Sequence, residues 1–113
     1  MVYREFAGTG LGSPIYIRAV LSEPAPGKGM PIGALVKRTA SGLDVIRDSD
    51  ASPIAVFGVV VFSKPNGDGT FECDILVAGV YSGEAYEYDT LGGNWITTTR
   101  HKSGYIQAPI YFV

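Results

Sequence analysis

Residues 54–77 read IAVFGVVVFSKPNGDGTFECDILV, and this stretch decides the fold. Residues 54–62 form a nearly continuous apolar run, which is typical of a strand covered on both faces. Residues 64–69 are rich in proline, asparagine and glycine, which reverse the direction of a chain. Residues 70–77 alternate between apolar and polar side chains and predict the second strand of a central β-hairpin. In this strand Phe71, Cys73 and Ile75 are predicted to point inward, and Thr70, Glu72 and Asp74 outward.

The rest of the chain repeats this pattern of short strands separated by turns. Residues 14–21 predict a strand with Ile15, Ile17, Ala19 and Leu21 on its buried face. Residues 23–29 hold two prolines and two glycines and predict a loop. The remaining strands are predicted at residues 33–38, 43–46, 85–88, 95–99 and 110–113, with a glycine-containing loop after the first and a Gly92-Gly93 turn after the third.

The composition agrees with an all-β chain. Fifteen glycines and seven prolines are spread between β-branched runs, and no ten-residue segment has helical periodicity free of a proline or a glycine pair. A length of 113 residues with 46% apolar residues suits one domain with one core. We therefore predict a single mainly-β domain at residues 14–113, a small barrel or sandwich, behind a flexible N-terminal arm at residues 1–13.

Simple counts disfavour several classes of function. One cysteine, Cys73, and one histidine, His101, cannot form an internal disulfide or a zinc site within one chain. A net charge of −2 offers no general attraction for a nucleic-acid backbone. The longest apolar run is too short to span a membrane, and residues 1–6 lack the features of a secretory signal. We predict no cofactor, no metal, no nucleic-acid or membrane partner, and synthesis in a cytosol.

The candidate catalytic residues lack the arrangement that catalysis requires. His101 lies between two cations, and the sequence supplies no recognisable triad around it. Cys73 is predicted to be a buried apolar residue rather than a reactive thiolate. We therefore predict that the chain is not an enzyme; the enzymatic alternative would use Glu84, Glu87 and His101.

The N-terminal arm carries aromatic side chains on a segment with little capacity to pack. Tyr3 and Phe6 precede residues 8–12, GTGLG, which have few packing side chains. Exposed aromatic rings are costly unless a partner covers them, so both rings are predicted to anchor the arm on the sheet edge of another chain. The alternative is that the arm adds an edge strand to its own domain.

Charge is distributed unevenly along the chain. Residues 1–40 carry +3, residues 41–90 carry −7 and residues 91–113 carry +2. Segments of opposite sign can pair within one fold or between copies of it.

Six short segments follow one another in a characteristic order: PAPG at 24–27, MPIGALV at 30–36, LDVI at 43–46, AVFGVVV at 55–61, FECDILVAGVY at 71–81 and IYFV at 110–113. In this order they resemble the head-decoration, or capsid cement, proteins of tailed bacteriophages, over residues 20–113. The family often carries a helical piece before its last strand, whereas Gly92-Gly93 and the threonines at 97–99 argue against a helix here.

The resemblance implies a structural virion protein: a small β-rich domain that forms a homotrimer on the outer capsid surface, after synthesis in the host cytoplasm. It implies that the domain bridges neighbouring subunits of the major capsid protein and stabilises the shell. The arm residues expected to touch the capsid are Val2, Tyr3, Arg4, Phe6 and Leu11. The residues expected between protomers, where basic and acidic segments would meet head to tail, are Arg18, Lys37, Arg38, Glu72, Asp74 and Trp95.

A second function class stays open at this point. Tyr81, Tyr86, Tyr88 and Trp95 are aromatic residues that could form a stacking platform for a sugar. The alternative hypothesis is therefore a carbohydrate- or ligand-binding β-module that uses surface aromatics.

Overall fold

The computed structural model describes residues 13–50, 55–97 and 109–112. Within these ranges the regular elements are all strands, so the predicted all-β class is confirmed. In chain order the strands are β1 (Ile15–Ser22), β2 (Leu35–Thr39), β3 (Gly42–Val45), β4 (Gly58–Pro65), β5 (Thr70–Tyr81), β6 (Tyr86–Tyr88), β7 (Trp95–Thr97) and β8 (Ile110–Phe112).

Most strands belong to one six-stranded sheet. Its antiparallel part has the order β1-β5-β4-β2-β3, and β8 pairs in parallel with the last residues of β5. Strands β6 and β7 form a separate antiparallel pair. Single bridges from Ala34 to Tyr86 and from Arg47 to Tyr88 attach this pair to the main sheet. The twelve-residue β5 has β1 and β4 as antiparallel neighbours and is the organising strand of the fold.

The predicted central hairpin is confirmed as β4 and β5. The Asn66 amide donates to the carbonyl oxygen of Thr70 at 2.9 Å and closes the turn. The Asp68 side chain accepts hydrogen bonds from the Thr70 amide at 3.1 Å and from the Thr70 hydroxyl at 2.6 Å. Asparagine, aspartate and glycine therefore act here as the turn formers that the sequence indicates.

The apolar strand of this hairpin differs from its prediction. β4 begins at Gly58, and residues 55–57 lie outside it. Val60 pairs with Ile75 and Phe62 with Asp74, so Val61 is an extra residue that forms a β-bulge. The bulge turns Phe62 outward, where 51% of its surface is exposed. The strand is therefore not covered on both faces along its whole length, because an unbroken apolar run does not show which residues face out.

Gly58 lies where the backbones of β4 and β5 approach closely. A Cβ atom at this position would collide with Ile75 Cγ2 and would lie 2.8 Å from the carbonyl oxygen of Leu76. Only glycine fits this approach without displacing β5.

Apolar side chains pack on both faces of the sheet. The inner cluster consists of Leu21, Met30, Ala34, Val36, Val45, Val60, Cys73, Ile75 and Tyr88. The end cluster consists of Leu35, Ile46, Val56, Val59, Leu76, Tyr81, Ala85 and Ile110. Sequence neighbours such as Val59 and Val60 belong to different clusters, because successive side chains of a strand point to opposite faces.

Other predicted boundaries shift by a few residues. The second hairpin spans Leu35–Thr39 and Gly42–Val45 rather than 33–38 and 43–46. In β1 the predicted inward residue Ile15 is 56% exposed, because a register shift between Ile15 and Tyr16 marks the end of regular pairing with β5. The predicted ends at 98–99 and 113, like residues 1–12 of the arm, lie outside the described residues. The described part of the chain has no helix with the length and apolarity to cross a membrane.

Candidate protein-binding face

Three adjacent strands present a sheet surface that the end cluster leaves uncovered. The register places Arg18, Asp74 and Phe62 in one row across β1, β5 and β4. It places Val20, Glu72 and Lys64 in the next row. Cross-strand partners point to the same side of a sheet, so these six side chains share one surface with Tyr16 of β1. We call this set of seven residues the outer face.

Apolar side chains on the outer face are widely exposed. Tyr16 is 53% exposed, Val20 is 61% exposed and Phe62 is 51% exposed. Their cross-strand neighbours are mostly charged, so the exposed apolar groups do not bury one another completely. Three large apolar groups exposed on adjacent strands of one sheet surface make the outer face the candidate site for a contact with another protein.

The charged residues of the outer face alternate in sign across the strands. Arg18 Nε donates to Asp74 Oδ1 at 2.9 Å, and this hydrogen bond, together with the charge of Asp74, raises the pKa of Arg18. In the next row Glu72 of β5 has Lys64 of β4 as its cross-strand neighbour. The central strand of the face therefore carries the carboxylates, and the two flanking strands carry the cations.

The structure brings together three of the six residues predicted between protomers. Arg18, Glu72 and Asp74 lie on the outer face. Lys37 of β2 instead donates to both carboxylate oxygens of Asp50, at 2.8 and 2.9 Å. These contacts show that part of the basic N-terminal segment pairs with the acidic middle segment inside one fold.

The other two predicted residues lie elsewhere. The Arg38 guanidinium is 5.2 Å from the ring centroid of Phe57. The Trp95 ring packs edge to face on Tyr88, with 5.3 Å between centroids, against the inner cluster. Both side chains therefore make their described contacts within the chain and away from the outer face.

Asp50 is held by several donors near β2. Burial alone would raise the pKa of Asp50, but hydrogen bonds from the Arg47 amide and Lys37 and the charges of Lys37 and Arg47 outweigh burial. The pKa of Asp50 is therefore lowered, and the carboxylate stays charged in mild acid.

The residues of the enzymatic alternative are not assembled by the described part of the chain. Glu84 is exposed, while Glu87 lies on β6 and is only 4% exposed. His101 lies outside the described residues. In the described ranges no group of three or more His, Cys, Asp and Glu side chains is placed to hold a metal ion.

The four aromatic residues of the ligand-binding alternative do not form one exposed platform. Tyr81 belongs to the end cluster and Tyr88 to the inner cluster, and both are buried. Tyr81 packs edge to face on Phe112, with 5.8 Å between ring centroids, and its hydroxyl donates to the carbonyl oxygen of Glu84 at 3.0 Å. Tyr86 and Trp95 are half-buried.

Cys73 is fully buried in the inner cluster, as its inward position predicts. Burial, with a smaller effect of the charge of Asp74, raises the pKa of the Cys73 thiol to about 11. The thiol is therefore neutral and unreactive at physiological pH.

A shallow groove separates the two outermost strands of the antiparallel part of the sheet. Cα atoms of β1 and β3 come within 8 Å of each other, and the groove between them has a volume of about 400 Å³. Its lining is mostly polar and consists of Val20, Ser22, Glu23, Thr39, Ser41, Leu43, Asp44 and Arg47.

Sequence reasoning assigned no role to Tyr16, Val20 or Phe62. The alternation in residues 14–21 was a sufficient signal for Tyr16 and Val20, because it already turns both outward. No such signal exists for Phe62, whose exposure depends on the bulge at Val61.

Searches of protein-family models, of curated proteins and of solved structures found no match to this chain.

Proposed function

We propose that the chain is a structural virion protein that binds the outside of an assembled phage capsid as a trimer and stabilises the shell. The order of short segments along residues 20–113 suggests this class, and the outer face supplies an adhesive surface for it. The observation that carries the proposal is the exposure of Tyr16, Val20 and Phe62 on a regular sheet, beside balanced charges.

The charge pattern of the outer face favours contacts between unlike surfaces. If two copies stacked this face about a two-fold axis through its centre, the β5 strands would meet and bring Glu72 and Asp74 close to their own copies. Like charges facing each other are destabilising. A head-to-tail contact between different surfaces avoids this repulsion, and such contacts can close into a ring of three.

In this proposal, the N-terminal arms bind the trimer to the shell. β1 begins at Ile15, so the arm joins the domain beside Tyr16 of the outer face. Three arms on one trimer raise the effective concentration of the second and third contacts, and weak single contacts then suffice. Because the trimer binds only the assembled lattice, it stabilises that lattice by mass action.

Co-sedimentation with expanded heads of the phage that encodes this chain tests the proposal. The wild-type chain is expected to pellet with the heads, and a variant lacking residues 1–12 is expected to bind at least tenfold more weakly. Equal binding of both chains would contradict a contribution of the arm to binding. Failure of the wild-type chain to bind would contradict the proposed function itself.

A matched pair of valine variants tests the outer face. Val20 on the face is 61% exposed and Val80 off the face is 47% exposed, and both lie in strands. We expect Val20→Ser to weaken binding to heads and Val80→Ser to leave it unchanged. Cross-linking of head-bound wild-type protein is expected to yield dimers and trimers; monomers alone would contradict the trimer.

A further inference from the structure

The turn between β4 and β5 contains an asparagine that is followed by a glycine. Asn66 and Gly67 are both exposed, and Gly67 has a φ of +89°. Asparagine is chemically labile in proteins, because the backbone nitrogen of the next residue can attack the carbon of its side-chain amide. A side chain on that next residue hinders the attack, and glycine has none. The turn therefore places the two reacting groups of a spontaneous reaction in solvent.

The fold leaves both groups accessible. Within the described residues the Gly67 amide makes no hydrogen bond, and a Cβ atom at Gly67 would meet no atom within 4 Å beyond its chain neighbours. The Asn66 side chain is held by a hydrogen bond from Nδ2 to Thr70 Oγ1 at 3.0 Å. This bond is exposed, so water competes for the donor and the acceptor, and the side chain can leave it at little cost.

The adjacent Asp68-Gly69 pair provides a comparison within the same turn. Asp68 Oδ1 accepts hydrogen bonds from the Thr70 hydroxyl and the Thr70 amide, and these bonds lower the pKa of Asp68. Asp68 is therefore ionised at neutral pH, and an ionised carboxylate resists attack by a nitrogen. The Asn66 amide is neutral and can release ammonia, so Asn66 is the more reactive of the two positions.

We propose that Asn66 is a site of spontaneous deamidation. The Gly67 nitrogen forms a bond to Asn66 Cγ, the bond from Cγ to Nδ2 breaks, and Nδ2 leaves as ammonia with the amide proton of Gly67. Water then opens the resulting succinimide ring at either of its carbonyl carbons. One opening gives aspartate at position 66 and the other gives isoaspartate. Water is the only co-reactant.

The product changes the turn and one end of the outer face. A carboxylate at position 66 cannot donate to Thr70 Oγ1 as the Asn66 amide does, and Asp68 already carries a negative charge in this turn. Position 66 lies two residues after Lys64, which pairs with Glu72 on the outer face. Deamidation adds one negative charge to the net charge of −2. The turn beside the outer face therefore becomes more acidic as the protein ages.

The other asparagine of the chain is a natural control. Asn94 is also exposed, but the residue after it is Trp95. The Trp95 ring is half-buried and packs against the inner cluster, so it hinders attack by its own backbone nitrogen and holds that nitrogen in place. Asn94 should therefore deamidate at least tenfold more slowly than Asn66 in the folded chain.

Incubation of the purified full chain at mildly alkaline pH, followed by peptide mass spectrometry, tests the proposal. Cleavage after glutamate places the two asparagines on different peptides, since Glu72 and Glu84 lie between them. The Asn66 peptide is expected to gain the mass difference between a hydroxyl and an amino group and to separate into aspartate and isoaspartate forms on reversed-phase chromatography. The rate should rise with pH, because the attacking nitrogen must lose its proton.

Two matched variants assign the reaction to its site. Asn66→Gln should abolish the acidic form that appears on ion-exchange chromatography, because the longer side chain closes a ring far more slowly. Asn94→Gln should leave the rate of its appearance unchanged. The proposal would be overturned by an acidic form that persists in Asn66→Gln, by equal rates at the two asparagines, or by a reaction that occurs only in chains unfolded with urea.

Discussion

The two faces of β5 differ in how completely neighbouring residues bury their side chains. On one side Cys73 and Ile75 are fully buried in the inner cluster. On the other side Glu72 and Asp74 belong to the outer face, beside side chains that are more than half exposed. The inner side is determined by packing within the chain, whereas the fold places no comparable demand on Val20 or Phe62. Apolar residues that the fold does not require are candidates for contacts with a partner.

The largest difference between the two sides is expected in stability. Ile75→Ala leaves a cavity in the inner cluster and should lower the free energy of unfolding by about 2–5 kcal/mol. Phe62→Ala on the outer face should lower it by less than about 1 kcal/mol, because the ring is half-exposed. Urea unfolding of both variants measures the difference. Similar losses would show that the outer face is part of the core.

Gly58→Ala tests the close approach of the β4 and β5 backbones, on which the packing on both faces of the sheet depends. The added methyl group would meet Ile75 and the Leu76 carbonyl oxygen, so the free energy of unfolding should fall by about 1–3 kcal/mol. Gly67→Ala is not a suitable control, since Gly67 has a positive φ of 89°. Ala40→Ser in the exposed loop after β2 is a better control and should be neutral. Equal midpoints for Gly58→Ala and wild type would contradict the close approach.

Acid should destabilise the fold by protonating carboxylates that lie outside the inner cluster. The pKa values of Asp48, Asp50 and Asp68 are lowered in the fold, so the unfolded chain binds more protons in acid. Their stabilising effect is complete above the unfolded pKa, about 3.9, and is lost as pH falls through the folded pKa values.

Unfolding midpoints of wild type and Asp50→Asn between neutral pH and about pH 2.5 measure this effect. The variant should be less stable than wild type at neutral pH and should lose less stability on acidification. Parallel curves would show that Asp50 does not contribute to the acid response.

The smallest expected effect concerns the ion pair on the outer face. The Arg18 side chain is 63% exposed and that of Asp74 is 31% exposed, so water screens the pair. Arg18→Gln should leave the unfolding midpoint unchanged and weaken binding to heads more at low salt than at high salt. A clear drop in the unfolding midpoint would show that the ion pair stabilises the fold instead.

The sequence was most informative where short-range chemistry determines the structure. The turn at Asn66 to Gly69 and the alternation in β5 were both predictable, because turn formers and a period of two have direct physical causes. The boundaries of β4 and the exposure of Phe62 were not predictable from the sequence. Both depend on a bulge that arises from pairing with another strand.

The residues predicted between protomers divide in the same way. Alternation placed Arg18, Glu72 and Asp74 outward, and the structure gathers them on one face. Lys37, Arg38 and Trp95 could not be placed in this way, because their contacts with Asp50, Phe57 and Tyr88 depend on how loops and the small sheet fold back.

The central claim is that the outer face contributes to adhesion and not to folding. Its most direct test is co-sedimentation of the double variant Val20→Ser/Phe62→Ser with expanded heads, beside Val80→Ser. The account predicts that the double variant unfolds at nearly the wild-type urea concentration and binds heads at least tenfold more weakly, while Val80→Ser binds normally. Wild-type binding by a folded double variant would contradict the claim.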